Sequence, residues 1–243
     1  MNNLLLIVSL IFVGQTLGSI VGLIKKPERK ILYGSLAFAA SMMLSISFFQ
    51  LIPESLKISS PFLVIISFIF GIIIMRIVDR ILPHINPELM KKEKPSVKRS
   101  VTMLVIGIAL HNIPEGLAIG VGFALTYKLG IMIAIGIAAQ DLPENVATIV
   151  PLYGITKNRM RAFNILMTTI LFELFGFVFG YYVLKGTAPN LLGGALALAA
   201  GFMTYISIEE LIPAAQIKEY PKIGIISLIL GILCILLLNL LVG

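Results

Sequence analysis

The chain has 243 residues, of which 58% are hydrophobic and only 13% are charged, against roughly 25% charged residues in an average soluble domain. Its mean hydropathy is +1.01, and a soluble domain of this length could not bury so much apolar surface. The composition therefore excludes the soluble enzyme classes, and a single cysteine, Cys234, excludes a disulfide framework or a thiolate metal cluster.

Charges, prolines and glycine clusters divide the chain into eight apolar segments, each reaching the ~20 residues that a membrane-spanning helix needs. They cover residues 3–24, 31–52, 61–82, 100–125, 129–153, 160–184, 190–216 and 222–242. The ~10-residue alternation of a membrane β-barrel is absent from the sequence. We therefore predict an all-α polytopic membrane protein with one transporter domain over 1–243, whose first span is a retained helix rather than a signal peptide.

The basic residues lie almost entirely on one side of the predicted membrane. All but three of the 19 Lys and Arg residues fall in or beside the loops after spans 1, 3, 5 and 7, including the basic loop 83–99; the exceptions are Lys57, Lys128 and Lys185. The positive-inside rule predicts a cell-membrane protein with these loops in the cytoplasm and both termini outside. The same rule and anionic lipid headgroups account for the net charge of +7, so we expect no nucleic-acid partner.

Spans 2 and 7 share a short sequence similarity. Residues 47–54 read SFFQLIPE and residues 207–214 read SIEELIPA, so that Ser, Leu, Ile and Pro coincide. Because the two spans run in opposite directions, the match indicates an inverted repeat of spans 1–3 and 6–8 around spans 4 and 5. Four matches in eight apolar-biased positions also arise by chance, and both interpretations stay open at this point.

Six of the 12 acidic residues lie within predicted spans 4 to 7, and in the bilayer centre a carboxylate costs about 2.5–3.5 kcal/mol even on a lenient insertion scale. These residues are Glu115, Asp141, Glu144, Glu173, Glu209 and Glu210. No Lys or Arg lies in the middle of a predicted span to pair with them. Protons or a bound cation must therefore neutralise these carboxylates.

Spans 4 and 5 carry the same polar pattern, HNIPEG starting at His111 and QDLPEN starting at Gln140. In each motif a nitrogen or amide ligand precedes a glutamate by four residues, so both side chains share one helix face. The proline before each glutamate removes a backbone hydrogen bond, which is tolerated where the freed carbonyl lines a wet or ion-binding cavity. A pattern that occurs twice indicates a binding site rather than helix packing.

Two such helices, packed face to face, predict two neighbouring metal positions. The first gathers the residues spaced four apart: His111, Glu115, Gln140 and Glu144. The second shares the two glutamates and adds the adjoining residues and the deep carboxylate of span 6: Asn112, Asp141 and Glu173. One imidazole with carboxylate and amide oxygens suits Zn, Mn, Fe(II), Co or Cd. Without thiolates we expect the weak, exchangeable binding that ion conduction needs.

The two motifs resemble those of the ZIP (Zrt/Irt-like) divalent metal transporters. The H-N-x-P-E-G motif of span 4 is specific for that family, whereas span 5 departs from its commonest form, H-E-x-P-H-E, and is similar to a prokaryotic branch with Q-D-x-P-E. The resemblance implies a homodimer, a binuclear site bridged by Glu115 and Glu144, and a moving block of spans 1, 4, 5 and 6. It also implies an inward exit route at Glu209 and Glu210, although a His is common in the family where Glu209 stands.

The predicted function is uptake of a divalent metal into the cytoplasm, Zn(II) first, with Cd, Mn, Fe(II) or Co as further cargo. An intramembrane metalloenzyme is disfavoured because H-E-x-x-H is absent and His111 is the one histidine inside a predicted span. The alternative is a proton-coupled solute carrier that uses the carboxylates as a proton relay. That carrier would need aromatic or basic substrate contacts in the span centres, which the sequence does not show.

Overall fold

The structure is a computed structural model that describes residues 2–24, 27–81 and 97–242. Within these ranges the chain forms eight helices and no strand: α1 Asn2–Ile24, α2 Arg29–Ile58, α3 Pro61–Ile81, α4 Val97–Leu125, α5 Tyr127–Thr156, α6 Arg159–Val183, α7 Pro189–Ala214 and α8 Pro221–Val242. Most of the predicted basic loop, including His84, lies outside the described residues.

Six of these helices are long and apolar enough, by length and composition, to cross a membrane. The other two are α1, whose described side chains begin at Ser9, and α5, which carries the polar QDLPEN motif. The helices α3 and α8 expose most of their apolar surface, for example Phe62 and Leu240, which suits contact with lipid rather than water. The prediction of an all-α polytopic membrane protein is confirmed.

The helices pack in a pattern that repeats itself. The central pair is α4 and α5. Helix α1 packs along α5, and α6 packs along α4 in the same way. Likewise α2 contacts α5 as α7 contacts α4, and α3 packs on α7 as α8 packs on α2. Exchanging helices 1–3 with 6–8, and α4 with α5, leaves this set of contacts unchanged. The packing therefore supports the repeat suggested by the similarity of spans 2 and 7.

The similar octapeptides also share a backbone irregularity. Both helices widen into a π-turn, at Ser47–Leu51 in α2 and at Ser207–Leu211 in α7. The N–H of the residue after each π-turn donates to the serine carbonyl five residues earlier. A proline follows directly, where a normal α-turn would clash with the carbonyl four residues before it. The same local solution at matched positions favours a true repeat over chance.

Helix α2 extends further than the sequence predicts, because the predicted span ended at Ile52 and the helix continues to Ile58. Pro53 lies directly after the π-turn over Ser47–Leu51, which accommodates the proline within the continuous helix. Glu54 pairs with Lys57 in the final turn. The Ser55 hydroxyl donates to the Gly193 carbonyl oxygen at 2.6 Å, which fixes the end of α2 against α7.

Candidate metal site

The two motifs lie in the middle of the central pair of helices, and both helices continue through their prolines, Pro114 and Pro143. Most of the motif side chains are inaccessible to solvent, which is unusual for polar groups. The buried ones are His111, Asn112, Glu115, Gln140, Asp141 and Asn145, whereas Glu144 is half-buried. The structure therefore places six of the seven predicted metal ligands on α4 and α5, facing the interior.

Gln140 joins the two glutamates predicted for the first metal position. Its Nε2 donates to Glu115 Oε1 at 2.5 Å and to Glu144 Oε2 at 3.3 Å. His111 lies one helical turn before Glu115 on the same face of α4. Three of the four residues predicted for this position therefore meet through hydrogen bonds between two helices, with His111 one turn away.

The His111 ring is held in one orientation by its own helix. Its Nδ1–H donates to the Gly107 carbonyl oxygen at 2.7 Å, which leaves Nε2 for another partner. The Nε2 atom lies 3.4 Å from Glu210 Oε2, in the π-turn of α7. The structure thus brings Glu210 of the predicted exit pair next to the predicted ligand His111, whereas the Glu209 side chain is exposed.

The second predicted position lies where α4, α5 and α6 meet. Asn112 Nδ2 donates to the Thr169 carbonyl oxygen of α6 at 3.1 Å. Asp141 and Glu173 are both buried, and one oxygen of each, Asp141 Oδ2 and Glu173 Oε1, has no hydrogen-bond donor. All three residues predicted for this position therefore face one interior region.

Sequence reasoning missed one residue of this region, Gln15 of α1. Its Nε2 donates to Glu173 Oε2 at 2.6 Å across 158 residues of chain, and the side chain is 1% exposed. Gln15 carries no charge, so the criterion of acidic residues without basic partners does not identify it. A signal was present, because a glutamine inside an otherwise apolar span is itself expensive unless it has a partner.

The carboxylates at this site lack basic partners. No Lys or Arg within the described ranges forms an ion pair with Glu115, Asp141, Glu144 or Glu173. Buried oxygens on three helices have no hydrogen-bond donor, namely Gln15 Oε1, Gln140 Oε1, Asp141 Oδ2 and Glu173 Oε1. Unsatisfied buried acceptors of this kind are destabilising, and a divalent cation would satisfy several of them at once.

The site is not arranged as a finished metal cage. No three His, Cys, Asp or Glu side chains of the described ranges are grouped so that they could hold a metal ion. Both predicted positions also use amide side chains, and the Gln140 N–H lies between Glu115 and Glu144. Metal binding there requires the Gln140 amide to turn its oxygen toward the ion, since an N–H cannot be a ligand.

Comparisons with known proteins agree with this chemistry. The family model described as ZIP zinc transporter matches residues 90–239. A zinc transporter ZupT of Salmonella arizonae is 36% identical over 213 residues, which cover 84% of this chain and 82% of the relative. A zinc transporter ZupT of Escherichia coli O7:K1 has the same identity and coverage, and one of Salmonella heidelberg is 35% identical over the same shares.

Proposed function

Because this chain belongs to the ZIP family of zinc transporters, we propose that it takes up divalent metal, Zn(II) first, through a binuclear site between α4, α5 and α6. The chain is a transporter and not an enzyme. Cd, Mn, Fe(II) and Co are further cargo that the same donor set accommodates, since it combines one imidazole with carboxylate and amide oxygens.

One observation carries this proposal: four carboxylates on three adjoining helices, three of them buried and Glu144 half-buried, lie in the interior without a Lys or Arg partner in the described chain. Buried charges persist when they are paired or coordinate metals. Protonation of each acid would remove the charge, but it would not explain why amide and imidazole side chains lie beside the acids. A travelling dication satisfies the carboxylates, the imidazole and the amide oxygens together.

The two metal positions share their central glutamates. The first uses the imidazole and three residues around it: His111, Glu115, Gln140 and Glu144. The second uses Glu115 and Glu144 as bridges, completed by Asn112, Asp141 and Glu173. Bridging lets an ion pass between neighbouring positions without returning to water, which keeps the desolvation barrier low.

Metal moves toward the side that carries the basic loops, which we place in the cytoplasm. Both termini then face outward, and the protein, as a homodimer, lies in a cell membrane with anionic headgroups near its basic residues. An inward-negative potential contributes roughly 2.3 kcal/mol per charge per 100 mV, and twice that for a divalent ion. Uptake down this gradient needs no other energy source.

Movement of the site arises from one block of helices sliding or rocking against another. All proposed ligands lie on α4, α5 and α6, and α1 packs along α5, so these four helices form the moving block. The remaining helices pair as α3 with α7 and α8 with α2. The His111–Glu210 contact at 3.4 Å joins the two blocks and must break when they move apart.

Zinc uptake into proteoliposomes, driven by an inward-negative potential, tests the proposed function. We expect uptake to fall steeply as the external pH is lowered from about 7 to 5, because the ligands must be deprotonated to bind metal. Cd, Mn, Fe(II) and Co measured in the same vesicles rank the cargo. Absence of metal uptake at every pH, together with no thermal stabilisation by zinc in detergent, would contradict the proposal and favour the solute carrier.

Substitution Glu173→Ala tests the second position alone. We expect a changed uptake rate or metal preference with residual transport, because Glu173 belongs only to the proposed second position, where it accepts a hydrogen bond from Gln15. Initial rates for zinc and cadmium, normalised to the amount of folded protein, provide the measurement. A folded but completely inactive variant would show that the second position is indispensable for transport, which would contradict this prediction.

A further inference from the structure

Gln15 of α1 touches the proposed second metal position without belonging to either motif. Its side chain is buried, its Nε2 donates to Glu173 Oε2 at 2.6 Å, and its Oε1 has no hydrogen-bond donor. We infer that Gln15 is a further residue of the second metal position, which orients Glu173 through its N–H and offers its amide oxygen to the ion. The inference rests on the proposed binuclear transport site.

Close packing of α1 against α5 places Gln15 at the same depth in the helix bundle as the proposed site. Glycines in α1 let its backbone approach α5. A Cβ added at Gly14 would lie 3.0 Å from Asp141 Cβ, and one at Gly18 would collide with the Leu142 carbonyl oxygen. Gln15 follows Gly14 directly, so its position along α1 corresponds to that of Asp141 along α5.

The repeat relates Gln15 to Glu173. Gly18 of α1 meets the Leu142 carbonyl, and Gly176 of α6 meets the Ile113 carbonyl. Leu142 and Ile113 are themselves equivalent, because each directly precedes the proline of its motif. Counting three residues back from each glycine gives Gln15 in α1 and Glu173 in α6, so the two residues are counterparts that meet near the centre of the repeat.

The same pairing of an amide with an acid occurs elsewhere in the second position. Asn112 of α4 and Asp141 of α5 occupy matching places in the two motifs, just as Gln15 and Glu173 occupy matching places in α1 and α6. In each of these two pairs, one helix of the repeat supplies a neutral amide and the equivalent helix supplies a carboxylate. A neutral amide oxygen binds a divalent ion more weakly than a carboxylate, so Gln15 keeps this position exchangeable.

Gln50 offers a matched control, because it is another buried glutamine whose amide bonds to a second helix. It is 1% exposed, and its Nε2 donates to Asn239 Oδ1 of α8 at 2.8 Å. The Gln50–Asn239 pair joins α2 to α8 and includes no carboxylate. Replacing Gln50 therefore removes a buried interhelical hydrogen bond without altering the proposed site.

Equilibrium zinc binding to the purified full-length chain in detergent tests the inference, with Gln15→Leu, Gln15→Glu and Gln50→Leu as variants. We expect two zinc ions in the parent chain. Gln15→Leu should weaken the second ion at least about 10-fold, the scale of a lost supporting group at a metal site, and leave the first within about twofold. Gln15→Glu should bind the second ion at least as tightly as the parent, and Gln50→Leu should match the parent.

Different failures lead to different conclusions. Unchanged binding of the second ion by Gln15→Leu, or equal weakening by Gln15→Leu and Gln15→Glu, would assign Gln15 to helix packing and overturn this inference alone. If Gln15→Leu does not fold, Gln15→Glu decides, because weaker binding than in the parent overturns the inference. Fewer than two zinc ions in the parent chain would overturn the proposed binuclear site and the inference with it.

Discussion

We expect replacement of Glu144 with alanine to abolish zinc uptake in reconstituted vesicles. Glu144 belongs to both proposed metal positions and accepts a hydrogen bond from Gln140 at 3.3 Å. Its removal leaves each ion one anionic ligand short in an interior of low dielectric, where unbalanced charge is most costly. We expect initial rates to fall at least about 100-fold, beyond the range seen for the loss of supporting groups around a metal.

Substitution His111→Ala should have the same effect, because it removes the one imidazole of the site. The matched control is Glu54→Ala: Glu54 is also a glutamate, but it pairs with Lys57 in the last turn of α2, outside the cluster of carboxylates. We expect that control to transport zinc at the parent rate. Normal uptake by both Glu144→Ala and His111→Ala would remove the site from the transport pathway.

The parts of the site that follow from the sequence are those that depend on one helix at a time. Four-residue spacing places His111 beside Glu115 whatever the surroundings, and the same holds for Gln140 and Glu144. The repeated motif then requires only that α4 and α5 face each other. The structure meets this condition, since the Gln140 amide reaches Glu115 of the neighbouring helix.

Contacts that depend on how distant helices dock were not predictable in the same way. The Gln15–Glu173 hydrogen bond and the approach of Glu210 to His111 join helices far apart in the chain. Their geometry is set by glycines that meet backbone carbonyls and by π-turns that rotate the end of a helix. Sequence periodicity identifies a buried face, but it does not specify which neighbour that face meets.

The end of α2 illustrates the same limit at a local scale. A proline normally marks the end of a helix, and the sequence therefore predicts that the second span ends at Ile52. The helix continues because a π-turn over Ser47–Leu51 accommodates Pro53. That solution becomes recognisable only when the equivalent turn in α7 is compared with it.

Substitution Gly176→Val should separate α6 from α4 and destroy the second metal position. A Cβ at Gly176 would collide with the Ile113 carbonyl oxygen and lie 2.8 Å from the Leu117 nitrogen, so helix backbones rather than flexible side chains must move. Overpacking of this kind costs about 3 kcal/mol, which lowers Tm by roughly 6–12 °C for a chain of this size. Glu173 lies one turn away and would be withdrawn from Asp141 and Gln15.

Thermal unfolding in detergent, with and without zinc, measures this prediction. The control Gly154→Ala also replaces a helical glycine, in the last turn of α5. A Cβ there meets nothing within 4 Å, so the Tm should stay equal or rise slightly because alanine favours helices. The folded fraction of Gly176→Val should bind the second zinc ion more weakly than the parent does. Parent-like Tm and parent-like zinc binding would mean that α4 and α6 separate without cost, and that their close contact does not position Glu173.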